Sequence, residues 1–145
     1  MIDSKDNIKT LVHQSHFTVR FNETDPLGIV WHGNYITYFE DGREAFGHHF
    51  GISYLDIQKS GYVTPIVKSV CEHKFPLKYG DSCRIETTFV DSLAAKMIYK
   101  FKIYNQNNQL VCIGETTQVF LDNQGELMLT LPPFFVEWKQ KVGLL

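Results

Sequence analysis

The chain has 145 residues, of which 43% are hydrophobic and 21% charged, and carries a formal net charge of −2. That length and balance suit one soluble globular domain with its own core and exclude a disordered chain. A near-neutral charge and only three arginines, Arg20, Arg43 and Arg84, argue against a nucleic-acid or membrane-surface partner.

Residues 1–14 read as a loosely ordered lead-in, polar and without the apolar segment of a signal peptide. From His16 the pattern alternates, with Phe17, Val19 and Phe21 on one face, which predicts a half-buried strand. Residues 22–28 carry turn chemistry, with Asp25-Pro26 and Gly28 supplying the breaks. Between Asn34 and Phe50, Tyr35, Tyr38, Phe39, Gly42, Ala45 and Phe46 recur in steps of three and four and define one helical face. Gly42 costs about 1 kcal/mol relative to Ala inside a helix, and a close approach to another backbone would explain it. Gly51 is placed to stop the helix, with His48 and His49 in its last turn.

A shorter helical or irregular piece follows at 53–59, and then the chain turns β. Strands are expected at 62–73, 82–92, 95–104, 109–121 and 126–131, separated by Gly-, Asn- and Asp-rich turns. In 95–104, Met97, Tyr99, Phe101 and Ile103 take one side, while Lys96, Lys100 and Lys102 take the other. A last short helix is expected at 133–142, opened by Pro132 and Pro133.

One strand, one long helix and then a run of antiparallel strands indicate a single α+β domain over 1–145. A helix of about 17 residues covers one face of a five- or six-stranded sheet. The other face carries apolar residues too, so a homodimer or homotetramer is expected. Cys71, Cys83 and Cys112 are odd in number and widely spaced. They fit neither a metal site nor a disulfide framework, and point to free thiols in the cytoplasm. No stretch approaches the ~20 apolar residues of a membrane-spanning helix.

The segment from Arg20 to Arg43, R-F-N-E-T-D-P-L-G-I-V-W-H-G-N-Y-I-T-Y-F-E-D-G-R, concentrates the chemistry. A carboxylate, Asp25, sits in a Pro/Gly turn, and His32 and Gly33 precede an amphipathic helix. An acid and the unpaired N–H groups of a helix N-terminus then face one small volume. Together they suit attack on a carbonyl, the acid activating the attacker and the amides holding the oxyanion.

Residues 23–43, with F-P-L-K-Y-G-D at 75–81, resemble the 4-hydroxybenzoyl-CoA thioesterase family of hot-dog acyl-CoA thioesterases, most of all its bacterial short-chain members. The first segment is similar to the family pattern D-x-x-G-[IV]-V-[YWF]-[HF]-x-x-Y at every specified position. The resemblance implies a hot-dog fold, a long central helix wrapped by a five- to six-stranded antiparallel sheet. It implies an acyl-CoA or acyl-carrier-protein thioester as substrate and no cofactor. It also implies that Asp25 is the catalytic carboxylate and that the amide at His32, with Gly33 beside it, polarises the thioester carbonyl. A close branch of the family has a Tyr four residues before the Asp, where this chain has Phe21. That departure bears on the branch's substrate preference and leaves Asp25 in place.

Asp25 can serve as general base on water or attack directly to give a mixed anhydride. Other hot-dog thioesterases carry the carboxylate on the long helix, which keeps Glu40 and Glu44 as alternatives. An Asp25/His32 metal site lacks a third ligand. The lysines at 68, 74, 78, 96, 100 and 102 are candidates for the CoA phosphates. A hot-dog dehydratase or hydratase and a non-catalytic acyl-thioester-binding module are the alternatives to hydrolysis.

Overall fold

In the computed structural model, which describes residues 10–145, the chain runs through β1 (Leu11–Thr18), α1 (Asn34–Phe50), α2 (Tyr54–Lys59), β2 (Tyr62–Val63), β3 (Ile66–His73), β4 (Ser82–Val90), β5 (Lys96–Tyr104), β6 (Leu110–Val119), β7 (Leu121–Asp122) and α3 (Pro133–Lys141). Five strands form one antiparallel sheet in the order β1-β4-β5-β6-β3, and β2 pairs with β7 in a separate two-stranded ribbon. This is the expected α+β hot-dog arrangement, a long helix lying on an antiparallel sheet.

The central strands bury every second residue, as alternation requires. In β5, Met97, Tyr99, Phe101 and Ile103 are buried while Lys96, Lys100 and Lys102 are exposed. The helix meets that face with Tyr35, Tyr38, Phe39 and Phe46. Phe39 stacks on Phe101 with ring centroids 4.7 Å apart, and Phe46 meets Tyr99 edge-on at 5.3 Å. Gly42 makes a close approach, but to side chains and not to another backbone: a Cβ there would lie 2.7 Å from Thr87 Oγ1 and 2.9 Å from Ile85 Cδ1 on β4. Removing that one side chain seats α1 on the sheet. Gly51 ends the helix in the left-handed conformation, φ 75°, as its position suggested.

The helix α3 closes one end of the core. Trp138 Nε1 donates to the Phe50 carbonyl at 2.7 Å. The fully buried Lys139 reaches Asp91 Oδ1 at 2.6 Å and the Ser92 carbonyl at 3.0 Å. These bonds hold the β4–β5 connection against the end of α1.

Four expectations need correction. The first strand begins at Leu11, so residues 11–14 belong to β1, in register with β4, and not to a lead-in. Residues 1–9 of the expected lead-in lie outside the described residues. Phe21 is not on the buried face of that strand: it stands in a 3₁₀ turn (Phe21–Glu23) and is 74% exposed. The expected strand 62–73 is split into β2 and β3 across Thr64-Pro65, where proline removes a ladder donor. The expected strand 126–131 does not form, and only an isolated bridge joins Leu121 to Leu127. All three cysteines are free, Cys83 and Cys112 buried and Cys71 half-buried. Among the described residues no helix is long and apolar enough to cross a membrane.

Candidate active site

The Asp25 turn is a short hairpin of its own. Thr24 bridges Val30, the Asp25 amide donates to the Ile29 carbonyl at 2.9 Å, and the Gly28 amide donates back to the Asp25 carbonyl at 2.9 Å. Gly28 takes φ 80°, a conformation that a side chain disfavours. The returning arm is fixed to the loop before β4, where Ile29 bridges Lys78 and the Val30 amide donates to the Leu77 carbonyl at 2.8 Å. Within the turn, Asp25 Oδ1 accepts the Leu27 amide at 2.8 Å. Oδ2 has no partner among the described residues, so one oxygen orients the carboxylate and the other is open.

The chain then enters α1 through a tight turn. The Asn34 amide donates to the Trp31 carbonyl at 2.9 Å, and the Tyr35 amide to the His32 carbonyl at 3.4 Å. The two amides just before them, at His32 and Gly33, find no acceptor among the described residues. They are the free donors that a helix N-terminus leaves over, at the end where the helix dipole is positive. The Trp31 indole lies against Gly33 so closely that a Cβ there would overlap its ring.

Asp25 and His32 share one open cleft of about 350 Å³. Its further walls include Tyr35, His73, Lys74 and Phe75. Gly33 adjoins it through the turn. The sequence pattern did not single out His73 or Tyr35 for this cleft. The end of β3 brings His73 there, with its ring edge-on to Tyr35 at 4.8 Å. Burial, and then the nearby Cys112 thiol, push the Tyr35 phenol up to about 12, so it is a neutral donor at neutral pH. The Cys112 thiol is itself pushed well up, first by hydrogen bonding with the neighbouring free Cys71 thiol and then by burial.

Glu40 and Glu44 lie elsewhere. They line a separate cleft of about 280 Å³ between α1, α2 and the strand ends, with Arg43, Tyr99 and Gln118. Of the six candidate lysines, Lys74 lines the Asp25 cleft and carries an ion pair to Glu72 at 3.4 Å. Lys78 stands at the Ile29 bridge and Lys68 on the edge strand β3. Lys96, Lys100 and Lys102 alternate away from the helix side of β5. Among the described residues no group of three or more His, Cys, Asp and Glu could hold a metal ion.

Comparison with known proteins shows the family of the chain. The sequence model of the family described as Thioesterase-like superfamily matches residues 19–139. The Bacillus subtilis (strain 168) protein YneP, provisionally named an acyl-CoA thioesterase, is 31% identical over 127 residues, 88% of this chain and 92% of YneP. The acyl-CoA thioester hydrolase YbgC of Escherichia coli O6:H1 is 26% identical over 125 residues, 84% of this chain and 92% of YbgC. Among solved structures, a DHNA-CoA thioesterase from Staphylococcus aureus superposes with a TM-score of 0.82 at 25% identity, covering 92% of this chain and 91% of that one.

Proposed function

This chain belongs to the thioesterase-like superfamily and is a thioester hydrolase, and on that basis we propose that it cleaves acyl-CoA or acyl-carrier-protein thioesters with Asp25 as the reacting carboxylate. The observation that carries the reading is the Asp25 side chain itself. Leu27 fixes one oxygen, the other is unpartnered among the described residues, and the cleft it faces is shared with the start of α1. The named relatives favour hydrolysis over the hydratase and binding-module alternatives.

In the base route, Asp25 Oδ2 takes a proton from water as the water oxygen bonds to the thioester carbon. The carbonyl oxygen becomes an oxyanion, held by the His32 and Gly33 amides. The C–S bond then breaks, and the thiolate takes up a proton to leave as free thiol beside the free acid. In the nucleophile route, Asp25 Oδ2 bonds to the same carbon and expels the thiolate. Water then attacks the aspartyl carbonyl carbon of the mixed anhydride, releasing the free acid, returning the Asp25 carboxylate with one water oxygen and giving a proton to the thiolate. The same oxyanion donors serve both routes. Single turnover in ¹⁸O water separates them, since only the anhydride route exchanges oxygen with the Asp25 carboxylate.

Lys74, on the cleft wall, is the best placed of the six lysines to meet the CoA phosphates. We assign the cytoplasm as the protein's location on the strength of the three free thiols. We also assign a homodimer paired through the free edge of β3. Among the described residues that strand bonds only β6, and its Val67 and Val70 are 60% and 41% exposed.

The test is thiol release from short, long and aromatic acyl-CoAs by wild type and Asp25→Asn. The variant keeps the shape and loses basicity and nucleophilicity, so its kcat should fall at least about 10³-fold with folding intact. Near-wild-type turnover by the variant overturns the assignment of Asp25.

A further inference from the structure

Two segments carry the proposed chemistry, the Asp25 turn and the start of α1, and a thioester can be attacked only if they keep a fixed spacing. The hydrogen bonds that set this spacing converge on one residue, Glu23, two positions before Asp25. Its main-chain carbonyl accepts the Trp31 amide at 2.9 Å and Asn34 Nδ2 at 2.8 Å, which uses both lone pairs. Its carboxylate Oε1 accepts the Arg20 amide at 2.7 Å and the Tyr38 hydroxyl at 3.0 Å. Asn34 and Tyr38 stand four apart, on one face of α1. Among the described residues they make the only side-chain bonds from α1 to the segment preceding Asp25.

We propose that Asn34 and Tyr38 are positioning residues, gripping Glu23 by main chain and side chain to hold the His32 and Gly33 amides at the distance from Asp25 that thioester attack requires. The inference rests on the assignment of Asp25 given above. The Asn34 amide group is oriented without ambiguity, because its partner is a main-chain carbonyl and only the NH₂ can donate to it. Tyr38 is a dependable donor as well: burial first, and then the Glu23 carboxylate, raise its phenol far above the ordinary range. Asn34 stands at the first position of α1 and the helix has no side-chain N-cap bond. Its side chain therefore reaches back to the preceding segment and leaves the His32 and Gly33 amides free for a substrate oxygen.

The roles of the two residues predict a specific kinetic pattern. Asn34→Leu removes the donor at nearly constant volume, and Tyr38→Phe removes one hydroxyl. A misplacement on the order of 1 Å costs about 10²-fold in rate. Asn34→Leu should therefore lower kcat by about 10- to 100-fold, and Tyr38→Phe by about 3- to 10-fold, with KM for the same acyl-CoA changed less than about threefold. Because both act through Glu23, the double variant should lose less than the product of the two single losses.

Each rate is measured per folded enzyme, with thermal midpoints recorded alongside. Retention of kcat within about threefold of wild type in both single variants, even with lowered midpoints, makes the clamp merely structural and overturns the proposal. If Asn34→Leu does not fold, the Tyr38→Phe rate decides alone. Asp25→Asn, assayed in parallel, keeps the two claims apart. A dead Asp25→Asn beside fully active Asn34 and Tyr38 variants overturns the clamp only, whereas an active Asp25→Asn overturns both.

Discussion

The space beside Gly33 is already taken by the Trp31 indole, and this makes the residue more than a hinge at the start of α1. A methyl group there must displace a rigid ring and tilt the turn that carries the two free amides. Loss of a well-placed oxyanion donor costs about 10²–10³ in kcat. Gly33→Ala should lower kcat by about 10²-fold. The stability loss should be about 1–2 kcal/mol, because Trp31 is half exposed and can swing out. Steady-state kinetics with a urea titration check both numbers. Unchanged kcat would mean that these amides do not hold the oxyanion. That Asp25, His32 and Gly33 lie close together could be expected from the sequence, because they fall within nine consecutive residues, where turn and helix-start geometry are local. His73, Asn34 and Tyr38 could not be read in their roles. A long-range strand register brings the first to the cleft, and the other two act on a residue 11 and 15 positions away.

At the scale of elements, the contact between β1 and the last turn of α1 contains a stacked histidine pair. The rings of His13 and His49 lie 4.6 Å apart at 26°. Burial, and then the facing His49, hold the His13 imidazole below its ordinary pKa. The fold therefore favours the neutral ring. The unfolded chain takes up this proton first as pH falls through about 6.5, so the contact loses stability from there down to the depressed native value. His13→Gln, which cannot charge, should flatten the dependence of the urea midpoint between about pH 7 and about pH 5. An unchanged slope would remove the pair from the acid response. The same contact explains why β1 was read too short: its first residues, L-V-H-Q-S-H, alternate half-buried with exposed, yet polar side chains at His13 and Ser15 occupy inward positions and mask the period. The helix α1 was legible to the residue because its apolar steps and its Gly51 stop agree. The segment 126–131 was not, since alternation alone cannot reveal whether a strand has a neighbour to pair with.

For the whole molecule, the open question is what meets the free edge of β3. The helix covers one face of the sheet, and among the described residues the outer edge of β3 has no partner strand and carries exposed Val67 and Val70. One end of β3, at His73, walls the Asp25 cleft, and the other, at Ile66, walls the Arg43–Gln118 cleft. Antiparallel pairing with a second copy about a two-fold axis sets His73 of one protomer beside the start of its partner's β3. Each Asp25 cleft then gains a wall from the other chain. Placing a charge inside such an interface without a partner is costly. Val70→Lys should therefore yield monomer in sedimentation at micromolar concentration and lower kcat/KM by about tenfold or more while far-UV dichroism is retained. Wild type sedimenting as a monomer would refute the β3 dimer outright. A fully active Val70→Lys monomer would show that the cleft is complete within one chain, leaving the exposed valines with no part in catalysis.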